Sequence, residues 1–239
     1  MGAYKGQLRY VSLLTFLILC ALCLMARLIY LFLADPQRFP INTVKIAAAY
    51  NHISHKQLES TLEKFSDASF FSLPVGPLHT ALSSLAWVKS VQIERVWPDT
   101  LKIKLIEKKP IAVWNNMMMT AEGEIFDGGS EIIGTSLPQL KGPKNQHQQV
   151  LQVYKKMSKI LNNYELNATV LEWRNNGAWE LTLSNGIQLR LGKRDLETRI
   201  NRFCKAYPAV FAGVLSDKPE QMASVDLRYP RGMAVQWRK

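Results

Sequence analysis

Residues 91–110 read VQIERVWPDTLKIKLIEKKP. Val91 and Ile93 alternate with polar neighbours in one short run, and Leu101, Ile103 and Leu105 do the same in the next, which is the period-two pattern of half-buried strands. Between the runs, Pro98 has no N–H to donate and interrupts any continuous pairing, so Trp97-Pro98-Asp99-Thr100 is predicted to turn the chain. The stretch is therefore a hairpin with an apolar face. Lys102 and Lys104 take the opposite, solvated face.

Upstream, residues 41–49 (INTVKIAAA) have strand composition. A helix follows with a predicted capping box of Ser54 and Gln57, and Ile53 with Leu58 as the hydrophobic staple around it. Leu58, Leu62 and Phe65 share one helical face; SLPVGP (residues 72–77) interrupts, and Leu78, Leu82 and Leu85 define a second helix. The order between residues 41 and 109 is strand, helix, helix, strand, strand. The hairpin completes a small sheet that both helices can cover.

Downstream, IAVWN (111–115), GEIFD (123–127), LEWRNNGAWELTLSNGIQLRLG (171–192) and SVDLRYPRGMAVQW (224–237) carry strand composition, with Asn185-Gly186 a two-residue hairpin signal. Two helical patterns interrupt them. One covers about residues 146–162, with Val150, Val153, Tyr154, Met157 and Leu161 on a face, and the other about 194–207, with Leu196, Ile200, Phe203 and Tyr207. The fold class is α+β.

Residues 10–26 hold no charge, and residues 28–34 extend the apolar run past Arg27. About 20 apolar residues suffice to cross a hydrocarbon core of ~30 Å. Possible signal cleavage sites each contain a bulky partner, Leu24 with Ala26 or Phe32 with Ala34, and Cys20 and Cys23 follow leucines where a lipoprotein would have small residues. The segment is expected to stay as an anchor. Arg27, near its far end, is expected to snorkel to the interface. Lys5 and Arg9 on one side against Arg38 and Lys45 on the other bias the orientation only slightly.

The chain has 30 Lys plus Arg against 19 Asp plus Glu, a net charge of +11. The basic residues alternate with apolar ones as on solvated strand faces, without the interleaved aromatics of a nucleic-acid groove. Cys204 is the one cysteine beyond the apolar segment, which leaves no disulfide within that region.

Catalytic signatures are missing: the chain has no Gly-rich phosphate loop, no His-Glu-x-x-His and no Gly-x-Ser-x-Gly. His52 and His55 have no cysteine partners for a zinc set, and His55 reads as an exposed first-turn residue. Asp127 before Gly-Gly reads as turn chemistry, Cys204 as a small buried hydrophobe and Met117–Met119 as strand packing. No cofactor or metal is expected. What remains is binding surface: the last hairpin would lie at a sheet edge open to strand addition, with Arg228 to meet a carboxylate and Tyr229 and Trp237 to supply rigid aromatic area.

VQIERVWPDTLKIKLIEKKPIAVW, LPQLKGP and VDLRYPRGMAVQW, after a short tail and one apolar span, closely resemble the FtsQ/DivIB family of bacterial cell-division proteins. The most specific residues are Arg95 to Asp99 with Glu107, Pro110, Ala112 and Trp114, and Val225 to Tyr229 with Gly232. The resemblance implies a cytoplasmic tail (1–9), an inner-membrane helix (10–34), a linker (35–40), a periplasmic POTRA domain (41–109) and a C-terminal, mostly antiparallel β domain (110–239). It implies a non-catalytic septal scaffold in complex with FtsB and FtsL, with other divisome proteins as further partners. The POTRA region would serve recruitment, and the end of the β domain would receive FtsB as an added strand.

Carried onto matching positions, the receiving surface would comprise Arg228, Tyr229, Gly232 and Trp237, with Arg174 as an acid-binding arginine. Because Pro230 cannot donate, the added strand is expected alongside Met233, Ala234, Val235 and Trp237. POTRA domains also occur in outer-membrane barrel assembly, but the region after residue 110 is short and holds two helical patterns. The rival reading is a membrane-anchored envelope enzyme or peptidoglycan-binding module.

Overall fold

The computed structural model describes residues 3–47, 51–132, 134–208 and 222–237. Helix α1 (Ala3–Leu33) contains a segment, Leu13–Leu33, long and apolar enough to cross a membrane. Its end is closed locally. Asp35 accepts the Gln37 N–H at 2.9 Å and pairs with Arg38 Nε at 3.0 Å, while Arg38 lies over the Phe32 ring.

The chain divides into two compact units, residues 1–108 and 109–239. In the first, β1 (Thr43–Ala47), β2 (Val88–Val96) and β3 (Thr100–Glu107) form a sheet in the order β1-β3-β2. β1 runs parallel to β3 and β2 antiparallel to it, with Val91 opposite Leu105 and Ile93 opposite Ile103. Helices α2 (His55–Glu63) and α3 (Val75–Ser83) lie between β1 and β2 in sequence. They contribute Leu58, Leu78 and Leu82 to a core that includes Val91, Leu101, Ile103 and Leu105, all buried. The expected order of five elements is therefore present.

Two local expectations change in this unit. The Ser54–Gln57 capping box is not made: the Ser54 side chain has no cap bond, and it is the Ser54 carbonyl that accepts the Gln57 and Leu58 N–H groups. Burial of Ile53 and Leu58 accompanies that entry instead. β1 starts two residues later than its composition suggests, because the N–H groups of Asn42 and Thr43 both donate to the Asp99 carbonyl at the hairpin tip. Its expected end at residues 48–49 lies outside the described residues.

The second unit is one nine-stranded sheet. Its members are β4 (Pro110–Trp114), β5 (Met117–Thr120), β6 (Ile125–Phe126), β7 (Gln139–Lys141), β8 (Ala168–Trp173), β9 (Trp179–Leu183), β10 (Gln188–Gly192), β11 (Met222–Asp226) and β12 (Ala234–Trp237). The strand order is β12-β11-β10-β9-β8-β7-β4-β5-β6. The β4–β7, β7–β8 and β10–β11 pairs are parallel and the others antiparallel. Parallel neighbours need long crossovers, and α4 (His147–Asn162) and α5 (Leu196–Ala206) lie in two of them. Their apolar stripes, with Val150, Met157, Leu161, Ile200 and Phe203, join Leu140, Leu171, Leu181, Leu189 and Val225 in one buried cluster. The alternate residues of the strands form the other face.

Asn185-Gly186 does not make a two-residue turn. Gly186 donates to the Leu183 carbonyl and Leu183 to the Ile187 carbonyl, so Ser184, Asn185 and Gly186 form a three-residue loop with Gly186 at φ 82°. Asn175-Asn176-Gly177 repeats this between β8 and β9, with Gly177 at φ 83°. A type I turn followed by a left-handed residue closes such loops, and glycine adopts that conformation without a steric cost.

Candidate partner-binding edge

β12 is the last strand of the sheet, and among the described residues no strand pairs with its outer side. Its inner side pairs antiparallel with β11, Asp226 opposite Ala234 and Val225 opposite Val235. An outer edge of this kind presents N–H and C=O groups that another chain can extend. Tyr229 is 54 % exposed and Trp237 47 %, so each offers its ring to solvent. Val235 packs partly on the core, whereas Ala234 and Gln236 are exposed. Met233 sits immediately before the strand and also packs partly on the core.

The loop joining β11 to β12 is held by a residue that the sequence does not single out. Arg202 on α5 donates from Nη1 to the Pro230 carbonyl at 2.7 Å, and from Nη2 to the carbonyls of Leu227 at 2.9 Å and Tyr229 at 2.8 Å. One guanidinium thus gathers three carbonyls of the turn that leads into the edge strand. Because Pro230 removes one backbone donor from this turn, the carbonyls there need donors from elsewhere. The only sequence signal for Arg202 is its place on α5 next to Phe203, at the border of the apolar stripe.

Arg228 folds back on Asp226, with Nε 2.9 Å from both carboxylate oxygens and Nη2 donating to Oδ2, while its backbone N–H donates to Oδ1 at 3.0 Å. The Arg228 side chain holds the Asp226 carboxyl below the usual range against the opposing effect of burial. Arg174, immediately after β8, donates to Glu180 at 2.6 Å and lies 3.9 Å from Glu172. Both predicted acid-binding arginines therefore have carboxylates of their own chain.

The strand registers connect these pairs. Glu172 stands opposite Glu180, Glu180 opposite Arg190, Arg190 opposite Asp226, and Asp226 opposite Ala234. Opposed residues share a sheet face, and Lys141 on β7 stands opposite Glu172, so this row crosses six strands on the side away from Leu171, Leu181, Leu189 and Val225. Glu172 and Glu180 would repel as a directly opposed pair, and Arg174 offsets that. Arg190 is exposed in the middle of the row and makes no direct ion pair among the described residues, although its charge helps lower the Asp226 carboxyl.

Arg174 does not touch the terminal edge. β8 and β12 are separated by four strand spacings, about 19 Å at ~4.8 Å each. The structure thus places Arg228, Tyr229, Gly232, Met233, Ala234, Val235 and Trp237 at the β12 end of the row and Arg174 beside β8, away from it.

Other residues with chemical potential have structural positions. Cys204 is buried, and burial pushes its thiol up to about 11. Asp127 accepts the Gly129 N–H at 2.8 Å across its turn. His52 stacks on Trp87 and approaches Glu107 at 3.1 Å. Among the described residues, no group of three His, Cys, Asp or Glu side chains is arranged to hold a metal ion.

Comparison with known families gives two matches: "POTRA domain, FtsQ-type" over residues 39–108 and "Cell division protein FtsQ/DivIB, C-terminal" over residues 112–228. The chain is 35 % identical over 207 residues to the cell division protein FtsQ of Coxiella burnetii, covering 86 % of this chain and 84 % of that one. It is 36 % identical over 213 residues to the FtsQ of Shewanella oneidensis, covering 88 % and 79 %. For the FtsQ of Escherichia coli K12 the identity is 34 % over 209 residues, covering 85 % and 75 %.

Proposed function

The chain belongs to the FtsQ/DivIB family of cell-division proteins, and on that ground we propose that it is a non-catalytic scaffold of the septum, linking early cytoplasmic to late periplasmic components. In this reading α1 crosses the inner membrane once, with residues 1–9 cytoplasmic and the bulk of the chain periplasmic. The POTRA domain (41–109) serves recruitment, and the β domain (110–239) forms a complex with FtsB and FtsL.

The observation that carries the reading is the outer edge of β12, unpaired by any described strand and flanked by exposed Tyr229 and Trp237. FtsB joins as a further strand beside Ala234–Trp237. Backbone hydrogen bonds supply generic affinity, and the two rings select the partner. Arg228 and Arg174 exchange their own Asp226 and Glu180 partners for carboxylates of the incoming chain, and the ~19 Å between their strands requires it to lie across the open face as well as along the edge.

The test is binding of the full chain, in nanodiscs, to a peptide from the membrane-proximal periplasmic part of FtsB. Saturable binding by the wild type that is lost in Tyr229→Ala and Trp237→Ala supports the edge. Binding unchanged in both variants, with native circular dichroism, overturns it.

A further inference from the structure

We infer that the tip of the β2–β3 hairpin is a lipid-interface anchor, in which the Trp97 indole sits among headgroups beside the end of α1. The inference rests on the proposed reading of α1 as membrane-spanning. Trp97 is 78 % exposed, more than any other large apolar side chain whose exposure is described, including those of Leu13–Leu33. A side chain so exposed contributes nothing to the core of its own domain, whereas the backbone that carries it is firmly tied.

Those ties converge on the end of α1. Asn42 donates through Nδ2 to Asp99 Oδ2 at 2.9 Å, and the Asn42 N–H donates to the Asp99 carbonyl at 3.1 Å. Arg95, two residues before Trp97, donates to the Leu73 carbonyl at 2.6 Å. Leu73 N–H in turn donates to Ser69, and the buried Ser69 hydroxyl donates to the carbonyl of Leu33, the last residue of α1, at 2.8 Å. That carbonyl is one of the groups a helix C-terminus leaves without an internal partner. Phe70 N–H donates to the Phe39 carbonyl at 2.8 Å, and the Phe39 ring contacts Phe32 and Phe71 with centroids 5.7 and 5.0 Å away. From Phe39 to Asn42 the chain can span at most about 11 Å. The hairpin tip and the α2–α3 loop are thus coupled, through a few short links, to the last turn of α1.

Lipid is the occupant this chemistry favours. Tryptophan concentrates at membrane–water interfaces because its ring is largely apolar while its N–H can reach water and headgroups. Phe71 is 38 % exposed, and Arg38 lies over Phe32 with its side chain more than half exposed, where it can meet a headgroup phosphate. A Trp at the tip of a braced hairpin would resist rotation of the domain about the membrane helix more effectively than a single linker.

The test reconstitutes the full chain in phosphatidylethanolamine–phosphatidylglycerol vesicles with and without acyl-brominated lipid, and records tryptophan fluorescence for the wild type and Trp97→Phe. The difference between their spectra isolates Trp97 from the other tryptophans, and circular dichroism checks the fold. The expected result is a blue-shifted difference spectrum that loses intensity with brominated lipid. A water-exposed difference spectrum insensitive to bromine, in a chain that resists carbonate extraction, overturns the anchor while leaving the membrane-spanning reading standing. Extraction by carbonate removes that reading and the anchor with it. Loss of a divisome partner in Trp97→Ala without lipid quenching also overturns the anchor and assigns the ring to a protein contact.

Discussion

The Arg202 guanidinium donates to the carbonyl of Tyr229 at 2.8 Å while the Tyr229 ring faces solvent. A residue of helix α5 therefore fixes the backbone from which the exposed ring projects. The same guanidinium reaches Leu227 and Pro230, so it constrains the whole approach to β12.

Arg202→Met is expected to keep the sheet but release this turn. Hydrogen bonds to a charged donor contribute about 1.5–3 kcal/mol each at most, and the coupled set should cost about 2 kcal/mol in denaturant unfolding. Amide exchange at Ala234–Trp237 should accelerate more than exchange in β8 or β9. Equal acceleration throughout the unit would make Arg202 a general stabiliser rather than a positioning residue.

Arg190→Glu would turn the row wholly acidic between β8 and β11, with the new carboxylate standing between Glu180 and Asp226 and Glu172 beyond them. Like charges directly opposed cost a few tenths to about 1 kcal/mol per pair, and salt screens them. The expected outcome is a lowered Tm that recovers in high salt, together with weakened binding of an acidic partner. A salt-independent loss would point to packing rather than charge.

Asp226 predicts a pH dependence. Its carboxyl is lowered chiefly by the Arg228 side-chain hydrogen bonds. The unfolded value is about 3.9, so the folded value lies lower and the pair's stabilisation is complete above about pH 5 and is lost as pH falls through about 4 towards the folded value. Tm measured against pH should show Arg228→Ala below the wild type at neutral pH, with the two converging in acid. Parallel curves down to about pH 2 would exclude this ion pair as the cause.

Two glycines near the edge should behave differently. Gly192 has φ 76°, and a Cβ there would lie 2.6 Å from Arg199 Nη1 and 3.1 Å from Arg228 Cγ, whereas a Cβ on Gly232 would meet nothing within 4 Å. Gly192→Ala should cost more than about 1 kcal/mol, while Gly232→Ala should leave Tm unchanged. If Gly232→Ala nevertheless abolishes partner binding, the glycine is needed for close approach of the partner.

Periodicity carries much of the architecture. Spacing alone puts Leu58, Leu78, Leu82, Leu101 and Leu105 on apolar faces, and all are buried. The helices expected near residues 146–162 and 194–207 occur as His147–Asn162 and Leu196–Ala206. Local polar chemistry is less legible: the Ser54 side chain makes no cap bond, and Asn185-Gly186 belongs to a three-residue loop. These choices depend on competing hydrogen bonds of similar strength, which neighbouring strands decide.

The apolar N-terminal segment, the strand-helix-helix-strand-strand order, and the aromatic and basic character of the last hairpin can all be read from the residues in order, because apolar spacing and turn chemistry are local properties. That Arg190 falls between Glu180 and Asp226 and that Arg202 reaches Tyr229 emerge only when the chain is folded. The Arg190–Asp226 pairing joins residues far apart in the chain through parallel pairing across α5, and Arg202 reaches Tyr229 from α5 itself. Register, which no local pattern encodes for a parallel crossover, is the physical quantity that set them.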